Sequence, residues 1–215
     1  MVIELSKENS LFSRYIAELR DVNIQNDRLR FRKNLERIGE IFAYEISKKL
    51  EWKAVDTKTP LGVKKTYTLA QQPVLATIMR AGLPLHQGFL NYFDEAENAF
   101  ISAYRKHTAD GSFEIKLEYM ASPDLKGKVV ILSDPMLATG HSMLASYHSL
   151  LRDGAPSHIH IAAVIGSREG VDYARKNLPD NVTLWLGSID EKLNDKAYIV
   201  PGLGDAGDLA YGVKL

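Results

Sequence analysis

The sequence of 215 residues contains no cysteine, which excludes disulfide bonds, a thiolate nucleophile and metal sites built from cysteine. It has no excess of charge of either sign, because 27 lysines and arginines balance 27 aspartates and glutamates. A net charge of zero argues against a general binder of polyanions, which needs a basic surface. The lack of cysteine also fits a reducing cytoplasm.

Long apolar runs are missing as well. No run approaches the ~20 residues that a membrane-spanning helix needs. The N-terminus, MVIELSKENS, has no basic start followed by an apolar core. We therefore expect a cytoplasmic protein with neither a membrane span nor a signal peptide. The length, with 45% apolar and 25% charged residues, predicts one globular domain over residues 1–215.

The most informative stretch is KVVILSDPMLATGHSMLASYHSLLRDG, at residues 128–154. Val129 to Leu132 form a short apolar run, which predicts a strand buried on both faces of a parallel sheet. Apolar residues then recur at helical spacing, and we expect Ser142 to cap this helix. The first amides of a helix have no internal partner, and the helix dipole favours negative charge there. The stretch therefore predicts an anion site.

Side chains in this loop suit a ligand with both a phosphate and a ribose. Thr139 and Ser142 supply hydroxyl donors beside the helix amides. Asp134 would repel a phosphate, but its carboxylate can accept hydrogen bonds from sugar hydroxyls. The alternative is an ordinary strand-to-helix turn without a ligand.

VVILSDPMLATGHS resembles the phosphoribosyl-pyrophosphate (PRPP) loop of the type I phosphoribosyltransferases, and DPMLATG resembles that of the uracil phosphoribosyltransferases. The resemblance implies that PRPP binds to Asp134, Pro135, Met136, Leu137, Ala138, Thr139, Gly140, His141 and Ser142. The family normally has glycine where this chain has His141. The ring can point outward and do nothing, or point inward and join the site of the 5′-phosphate.

Two arginines after predicted strands extend the resemblance. Pro73 to Met79 predicts a second buried strand, and Arg80-Ala81-Gly82 follows it with an arginine that can pair with phosphate oxygens. TIMRAGLPL resembles the family segment that meets the pyrophosphate side. AYR, which ends at Arg105, resembles the family's YR, whose arginine contacts the pyrophosphate. The resemblance thus assigns Arg80 and Arg105 to PRPP, with Arg105 also catalytic.

YIVPGLGDAGD, at residues 198–208, resembles the uracil-binding segment of the family. The resemblance implies that the backbone of Ile199, Gly204 and Ala206 meets the edge of uracil. It also implies that Asp205 contacts uracil and acts in catalysis at the ribose and pyrophosphate end. We expect Mg²⁺ to arrive on the phosphate oxygens of PRPP, which it prefers to a dedicated protein cage, and we expect no metal cluster in the protein.

Two further parts are predicted to project from the domain. Pro60-Leu61-Gly62 is typical of a turn and predicts a hairpin at residues 52–69. Ala99 to Tyr104 predicts a strand, and the polar and alternating residues that follow predict a hood at 105–121. These exposed parts, together with the resemblance, imply at least a homodimer.

Two features left alternatives open. A helix from about Asp27 to Leu50 carries a basic face, which an RNA-binding regulator of pyrimidine genes could use. With glutamates interleaved and no aromatic platform, a solvated or inter-subunit face is favoured, and no nucleic-acid partner is expected. This face consists of Arg28, Arg30, Arg32, Lys33 and Arg37. His158 and His160 could form a metal pair, but two solvated positions are favoured because no third ligand is in view.

The predicted fold is α/β, like that of the type I phosphoribosyltransferases, with a mainly parallel sheet flanked by helices. Ligands should bind beyond the carboxyl ends of its strands, where the three motifs fall. The resemblance implies transfer from PRPP to uracil, giving uridine monophosphate (UMP) and pyrophosphate in pyrimidine salvage. Departures at His141, in the hood, in SREG at 167–170 and near the end leave open a relative with weakened activity or another base.

Overall fold

The computed structural model describes residues 1–107 and 113–214, with the backbone alone described at 103–107 and 113–117. The strands are β1 (Val2–Glu4), β2 (Trp52–Thr59), β3 (Gly62–Leu69), β4 (Val74–Met79), β5 (Asn98–His107), β6 (Phe113–Ala121), β7 (Val129–Ser133), β8 (Met136–Leu137), β9 (His158–Ser167), β10 (Val182–Asp190), β11 (Lys192–Leu193) and β12 (Ile199–Val200). The helices are α1 (Leu11–Arg20), α2 (Arg28–Ser47), α3 (Gly82–Leu90), α4 (His141–Leu150), α5 (Arg168–Asn177) and α6 (Ala206–Tyr211). Short 3-10 turns lie at Leu5–Lys7 and Leu151–Asp153.

A central sheet runs in the order β1-β10-β9-β7-β4-β5-β6, and β8 pairs with the end of β9. β5 and β6 are antiparallel, while the other described pairs in this sheet are parallel. Parallel strands need long crossover connections, and helices supply most of them here. The predicted fold, a mainly parallel sheet flanked by helices, is confirmed.

The buried strands alternate between two hydrophobic clusters. Leu75 and Ile131 belong to the first cluster, with side chains of α1, α2, α3 and α6. Their neighbours Val74 and Val130 belong to the second, with side chains of α4 and α5. Because successive side chains of a strand point to opposite faces, helices cover both faces of the sheet. This explains why β4 and β7 are continuous apolar runs in the sequence.

Helix α2 begins close to its predicted start, with Asp27 as its cap. The Asp27 carboxylate accepts a hydrogen bond from the Arg30 amide at 3.0 Å. The helix then packs closely on α3, where a Cβ at Gly88 would lie 2.0 Å from the carbonyl oxygen of Glu36. Glycine at this point therefore allows the two helices to touch through their backbones.

The basic face of α2 contacts its own chain more than the sequence indicated. Arg30 pairs with the Glu18 carboxylate at 2.9 Å. Arg32 donates to the carbonyl oxygen of Ala210 at 2.7 Å. The guanidinium of Arg37 lies 5.3 Å from the centre of the Tyr15 ring. These arginines therefore help to hold α1 and α6 against α2. Arg28, Arg30, Lys33 and Arg37 are nevertheless exposed, as expected of a solvated or inter-subunit face.

The predicted hairpin is present at residues 52–69. β2 and β3 pair antiparallel from Trp52 opposite Leu69 to Thr59 opposite Gly62. They form a sheet of their own, and most of their side chains are exposed.

The strand predicted to end at Tyr104 continues further. β5 extends to His107, and Arg105 pairs with Ile115 of β6. The predicted end of the strand at Tyr104 is therefore three residues too early, because β6 provides a hydrogen-bonding partner for this backbone. The Arg105 side chain and residues 108–112 of the predicted hood lie outside the described residues.

His160 is not a solvated position, so that part of the prediction is wrong. The residue is 3% exposed, and its Nδ1 accepts a hydrogen bond from Trp185 Nε1 at 3.1 Å. His158 lies beside it at the start of β9 and pairs with the Thr183 hydroxyl at 3.0 Å. Burial, with a smaller contribution from His158, lowers the pKa of His160 to about 3.

Two further properties concern the described residues as a whole. Residues 1–107 and 113–214 include no helix with the length and apolar character that a membrane crossing needs. Nor do these residues bring together three histidine, aspartate or glutamate side chains in a group that could hold a metal ion.

Candidate active site

Two adjacent strands begin the candidate site at their carboxyl ends. β4 lies beside β7, and side-chain hydrogen bonds join the two strands near their carboxyl ends. The Thr77 hydroxyl donates to the carbonyl oxygen of Ser133 at 3.3 Å, and the Ser133 hydroxyl donates to that of Ala76 at 3.2 Å. The loops that carry Arg80 and Asp134 therefore leave the sheet side by side, as the strand order predicts.

The PRPP-type loop is attached to β9 along its first half. The Asp134 amide donates to the carbonyl oxygen of Ala162 at 3.1 Å. The carbonyl oxygen of Pro135 accepts from the Ile165 amide at 3.0 Å. Met136 and Leu137 then form β8, which the sequence did not predict. These bonds fix the loop backbone before it reaches its polar tip.

The tip of the loop differs from the prediction in its helix cap. Gly140 is the residue before α4, with φ +82°, and no side chain caps the helix. Ser142 lies inside the first turn, so the prediction that it caps the helix is wrong. A Cβ at Gly140 would lie 2.9 Å from the Tyr173 ring, so glycine is favoured by both space and backbone.

The loop encloses a pocket of about 160 Å³. The Thr139 hydroxyl lies 3.5 Å from the His141 amide, at the start of the helix. Most of the residues assigned to PRPP line this pocket, namely Asp134, Met136, Leu137, Ala138, Thr139, Gly140 and Ser142, together with Met143. The pocket therefore lies at the N-terminus of α4, where backbone amides favour an anion.

Helix α5 supports the PRPP-type loop through hydrogen bonds and close packing. The Ser167 hydroxyl donates to the carbonyl oxygen of Ala138 at 2.5 Å and accepts from the Gly170 amide at 2.8 Å. Ser167 therefore caps α5 and also binds the loop. A Cβ at Gly170 would lie 2.1 Å from the same carbonyl oxygen. SREG is thus the segment on which the PRPP-type loop rests.

His141 packs on the same helix. The centres of the His141 and Tyr173 rings are 4.5 Å apart, and the ring planes are inclined by 30°. Of the two orientations left open by the sequence, contact with α5 favours the outward one.

Arg80 lies against the end of the uracil-type segment. Its Nη2 is 3.0 Å from a carboxylate oxygen of Asp208, and the guanidinium also approaches the carbonyl oxygen of Gly212 at 3.4 and 3.5 Å. The peptide bond between Met79 and Arg80 is cis. Burial raises the pKa of Tyr211 nearby, against the opposing charges of Arg32 and Arg80. Two motifs that are distant in sequence therefore meet here.

The uracil-type segment is an ordered turn followed by a short helix. Ile199 pairs with Leu193 in β12 and β11, and a cis peptide bond precedes Pro201. Gly204 has φ +95°. Asp205 caps α6, since its carboxylate accepts from the Asp208 amide at 3.0 Å. Ala206 begins this helix and is buried.

One hydrophobic cluster joins the three motifs. Ile199, Leu203 and Ala206 of the uracil-type segment are members of the first cluster. Ala81 from the Arg80 loop and Met136 and Ala138 from the PRPP-type loop pack against it. The described residues of the predicted site therefore meet around shared packing.

The comparisons with known proteins decide the family. A family model for uracil phosphoribosyltransferase matches residues 6–213. The uracil phosphoribosyltransferase of Porphyromonas gingivalis is 58% identical over 214 residues, which cover 100% of this chain and 99% of that protein. This chain belongs to the uracil phosphoribosyltransferase family. It is a phosphoribosyltransferase, as the three motifs indicated.

More distant relatives and solved structures with the same fold are also similar to this chain. The uracil phosphoribosyltransferase of Methanothermobacter thermautotrophicus is 37% identical over 184 residues, covering 85% of this chain and 83% of that protein. A solved structure from Aquifex aeolicus is 30% identical with a TM-score of 0.88, and 100% of both chains is covered. The orotate phosphoribosyltransferase of Mycobacterium tuberculosis, solved with PRPP, is 10% identical with a TM-score of 0.50 over 86% of this chain and 92% of that one. That likeness extends to the fold alone.

The uracil phosphoribosyltransferase motifs did not reveal every residue of the site. Asp208 lies within the C-terminal motif, but its pairing with Arg80 joins residues that are 128 positions apart. The bond from Ser167 to Ala138 spans 29 positions. Local spacing cannot indicate either contact. The residue type at Ser167 suits a helix cap, but that local property points to α5 rather than to the loop.

Proposed function

We propose that the enzyme transfers the 5-phosphoribosyl group of PRPP to uracil, forming UMP and pyrophosphate in pyrimidine salvage, as a single catalytic domain over residues 1–215. In this reaction a ring nitrogen of uracil attacks the anomeric carbon and loses its proton, while the bond from that carbon to the pyrophosphate oxygen breaks. The main support is that three motifs of one family meet around a shared cluster beyond the carboxyl ends of the strands.

The PRPP-type loop would hold the 5′-phosphate and the ribose. Backbone amides at the start of α4 and the hydroxyls of Thr139 and Ser142 are donors for the phosphate. Asp134 offers its carboxylate to the ribose hydroxyls. The loop is fixed by β9 and by Ser167, so these donors need little rearrangement when the substrate binds.

Arg80 and Arg105 would offset the charge of the departing pyrophosphate. For Arg80 this requires that the guanidinium exchange Asp208 for phosphate oxygens, which form stronger charge-assisted pairs when they are bidentate. Mg²⁺ carried on the diphosphate would supply further positive charge. The donor set fits a metal brought by the substrate, because Asp205 offers one carboxylate at this edge and the described residues form no group of three possible ligands.

The segment at 199–206 would select uracil through backbone groups. Uracil presents alternating acceptors and donors along its edge, and the backbone of Ile199, Gly204 and Ala206 can match them. Asp205 is fixed as the cap of α6, and its second carboxylate oxygen can orient the ribose end of the substrate or its metal. A purine would be too large for this arrangement and would present a different edge.

The remaining proposals concern the setting of the enzyme. We propose a cytoplasmic enzyme, which the lack of cysteine supports. Its partners would be uracil, PRPP and a second copy of the chain, with no nucleic acid, since arginines of the basic face of α2 are engaged within the chain.

The test is formation of UMP from radiolabelled uracil and PRPP with Mg²⁺ present. We expect turnover with uracil and none with hypoxanthine, guanine or orotate. Arg105→Ala should lower turnover strongly, while the control Arg175→Ala on the exposed side of α5 should retain it. Equal turnover of any purine, or a wild-type protein that forms no UMP, would refute the proposal.

A further inference from the structure

An ion pair contacts the backbone of the uracil-type segment at residues 198–208. Arg20, the last residue of α1, and Asp190, the last residue of β10, form two parallel contacts of 2.7 Å each. The Asp190 side chain is 7% exposed and that of Arg20 is 21% exposed. A bidentate pair of this kind fixes the relative orientation of both groups.

Both members of the pair also bind the backbone of Gly202. Arg20 Nη1 donates to the carbonyl oxygen of Gly202 at 2.9 Å, and the Gly202 amide donates to Asp190 Oδ2 at 2.9 Å. Gly202 has φ +60°, and a Cβ there would lie 2.0 Å from the carbonyl oxygen of Ile199. A single ion pair therefore binds both the amide and the carbonyl group of Gly202.

Gln25 binds the next residue of the turn, Leu203. Its side-chain amide donates to the carbonyl oxygen of Leu203 at 3.2 Å and to that of Leu19 at 2.9 Å. The turn between Ile199 and Gly204 is thus anchored to the end of α1 at two successive positions. The tip of β10 supplies the third anchor.

We infer that Arg20 and Asp190 are positioning residues for base recognition, an inference that rests on the proposed function. The groups proposed to bind uracil at Ile199 and Gly204 are backbone groups. A change of side-chain rotamer therefore cannot correct their orientation. A backbone edge distinguishes one base from another only when it is held close to the productive geometry. The ion pair holds Gly202, which lies between these two residues, and so sets that geometry.

A simple stabilising role would have a different signature. Buried ion pairs often add little to stability, and their removal acts on the folded fraction of the protein. Loss of stability alone leaves the Michaelis constants of the folded enzyme unchanged. Loss of positioning instead raises the Michaelis constant for uracil and spares that for PRPP.

The first measurement therefore compares both Michaelis constants in three proteins below their melting temperatures. Arg20→Lys retains the charge but loses the planar fork that binds Asp190 and Gly202 together. We expect it to raise the Michaelis constant for uracil about tenfold and to leave that for PRPP unchanged. Arg30→Met is the matched control, because it breaks the ion pair with Glu18 between α1 and α2. It should change neither constant.

The second measurement is hydrogen exchange at the amides of Gly202, Leu203 and Gly204, which needs no turnover. Exchange should be faster in Arg20→Lys than in the wild type and unchanged in Arg30→Met. Unchanged exchange, an unchanged Michaelis constant for uracil, or equal increases in both constants would each overturn the inference. A wild-type protein that forms no UMP would instead refute the proposed function, and the exchange result would still decide whether the ion pair holds the turn.

Discussion

Gly140 and Gly170 are the residues that bring the PRPP-type loop against α5. A side chain at Gly140 would meet Tyr173, and one at Gly170 would meet the carbonyl oxygen of Ala138. A loop that rests on a helix through two glycines cannot move without separating these surfaces. The donors proposed for the 5′-phosphate are therefore held in place by packing as well as by hydrogen bonds.

The contact between His141 and Tyr173 leads to a prediction about phosphate binding. We expect His141→Gly to leave the Michaelis constant for PRPP within about twofold of the wild type between pH 6 and 8, because the ring packs on α5. The measurement is that constant against pH in both proteins. A Michaelis constant for PRPP that rises well beyond twofold in His141→Gly would mean that the ring takes part in binding the phosphate.

Ser167 gives a second prediction at this scale. Ser167→Ala removes the cap of α5 and the donor to Ala138, so it should destabilise the protein by about 1 kcal/mol. It should also raise the Michaelis constant for PRPP and spare that for uracil. Ser167→Thr retains the hydroxyl and is the control. If thermal unfolding and both Michaelis constants stay at wild-type values in Ser167→Ala, the loop does not depend on this hydroxyl.

At the scale of elements, β9 contains a histidine that stays neutral in the folded state. The pKa of His160 falls from 6.5 to about 3, mainly through burial and secondarily through the charge of His158. The neutral form is therefore the folded form. Its contribution to stability is complete above pH 6.5 and is lost as pH falls from 6.5 towards 3. Burial lowers the pKa values of His158 and His86 as well, so they act in the same direction.

We expect the free energy of unfolding to fall between pH 6.5 and 5. The slope due to His160 should approach about 1.4 kcal/mol per pH unit, and His158 and His86 should add to the fall. Denaturant titrations at several pH values measure this slope. His160→Asn keeps an acceptor for Trp185 but cannot be protonated in this range, so its slope should be smaller. His148→Gln, at an exposed position of α4, should keep the wild-type slope. Equal slopes in the wild type and His160→Asn would contradict the assignment.

The elements that the sequence predicted well are those with a strong repeating pattern. β4 and β7 are continuous apolar runs, and α2 keeps a helical period with a polar cap at Asp27. Two of the elements that it missed, β1 and β8, are short. β1 and β8 owe their existence to pairing with β10 and β9, and nothing in two or three residues can predict such a partner.

The sequence predicted the loops of the candidate site but not the contacts that hold them. The contiguous motifs at residues 134–142 and 198–208 indicated which loops bind ligands, because loop chemistry is local. The contacts that hold these loops are not local. Arg20 and Asp190 are 170 positions apart, and only the fold brings them together at Gly202. A helix cap was assigned to Ser142 because the pattern shows which residue types can cap, whereas φ at Gly140 decides which residue does.

At the scale of the whole molecule, the hairpin is the part that one chain leaves uncovered. Trp52, Leu61, Val63 and Tyr67 are exposed by 47%, 100%, 71% and 69%. A two-stranded hairpin is marginally stable in water unless it packs against other structure. This hairpin forms a sheet of its own and does not join the central sheet. A second copy of the chain would provide the missing packing surface.

We therefore expect the wild-type protein to show at least twice the mass of one chain by light scattering at micromolar concentration. Lysine at both Val63 and Tyr67 should shift the mass towards a monomer, because two charges on the hairpin cannot be buried without partners. Val22→Lys is the control, since Val22 is 69% exposed but lies near the opposite end of α2 from the hairpin. It should leave the mass unchanged. A wild-type monomer would show that the hairpin needs no partner chain, and a dimer that survives both lysines would place the interface elsewhere on the molecule.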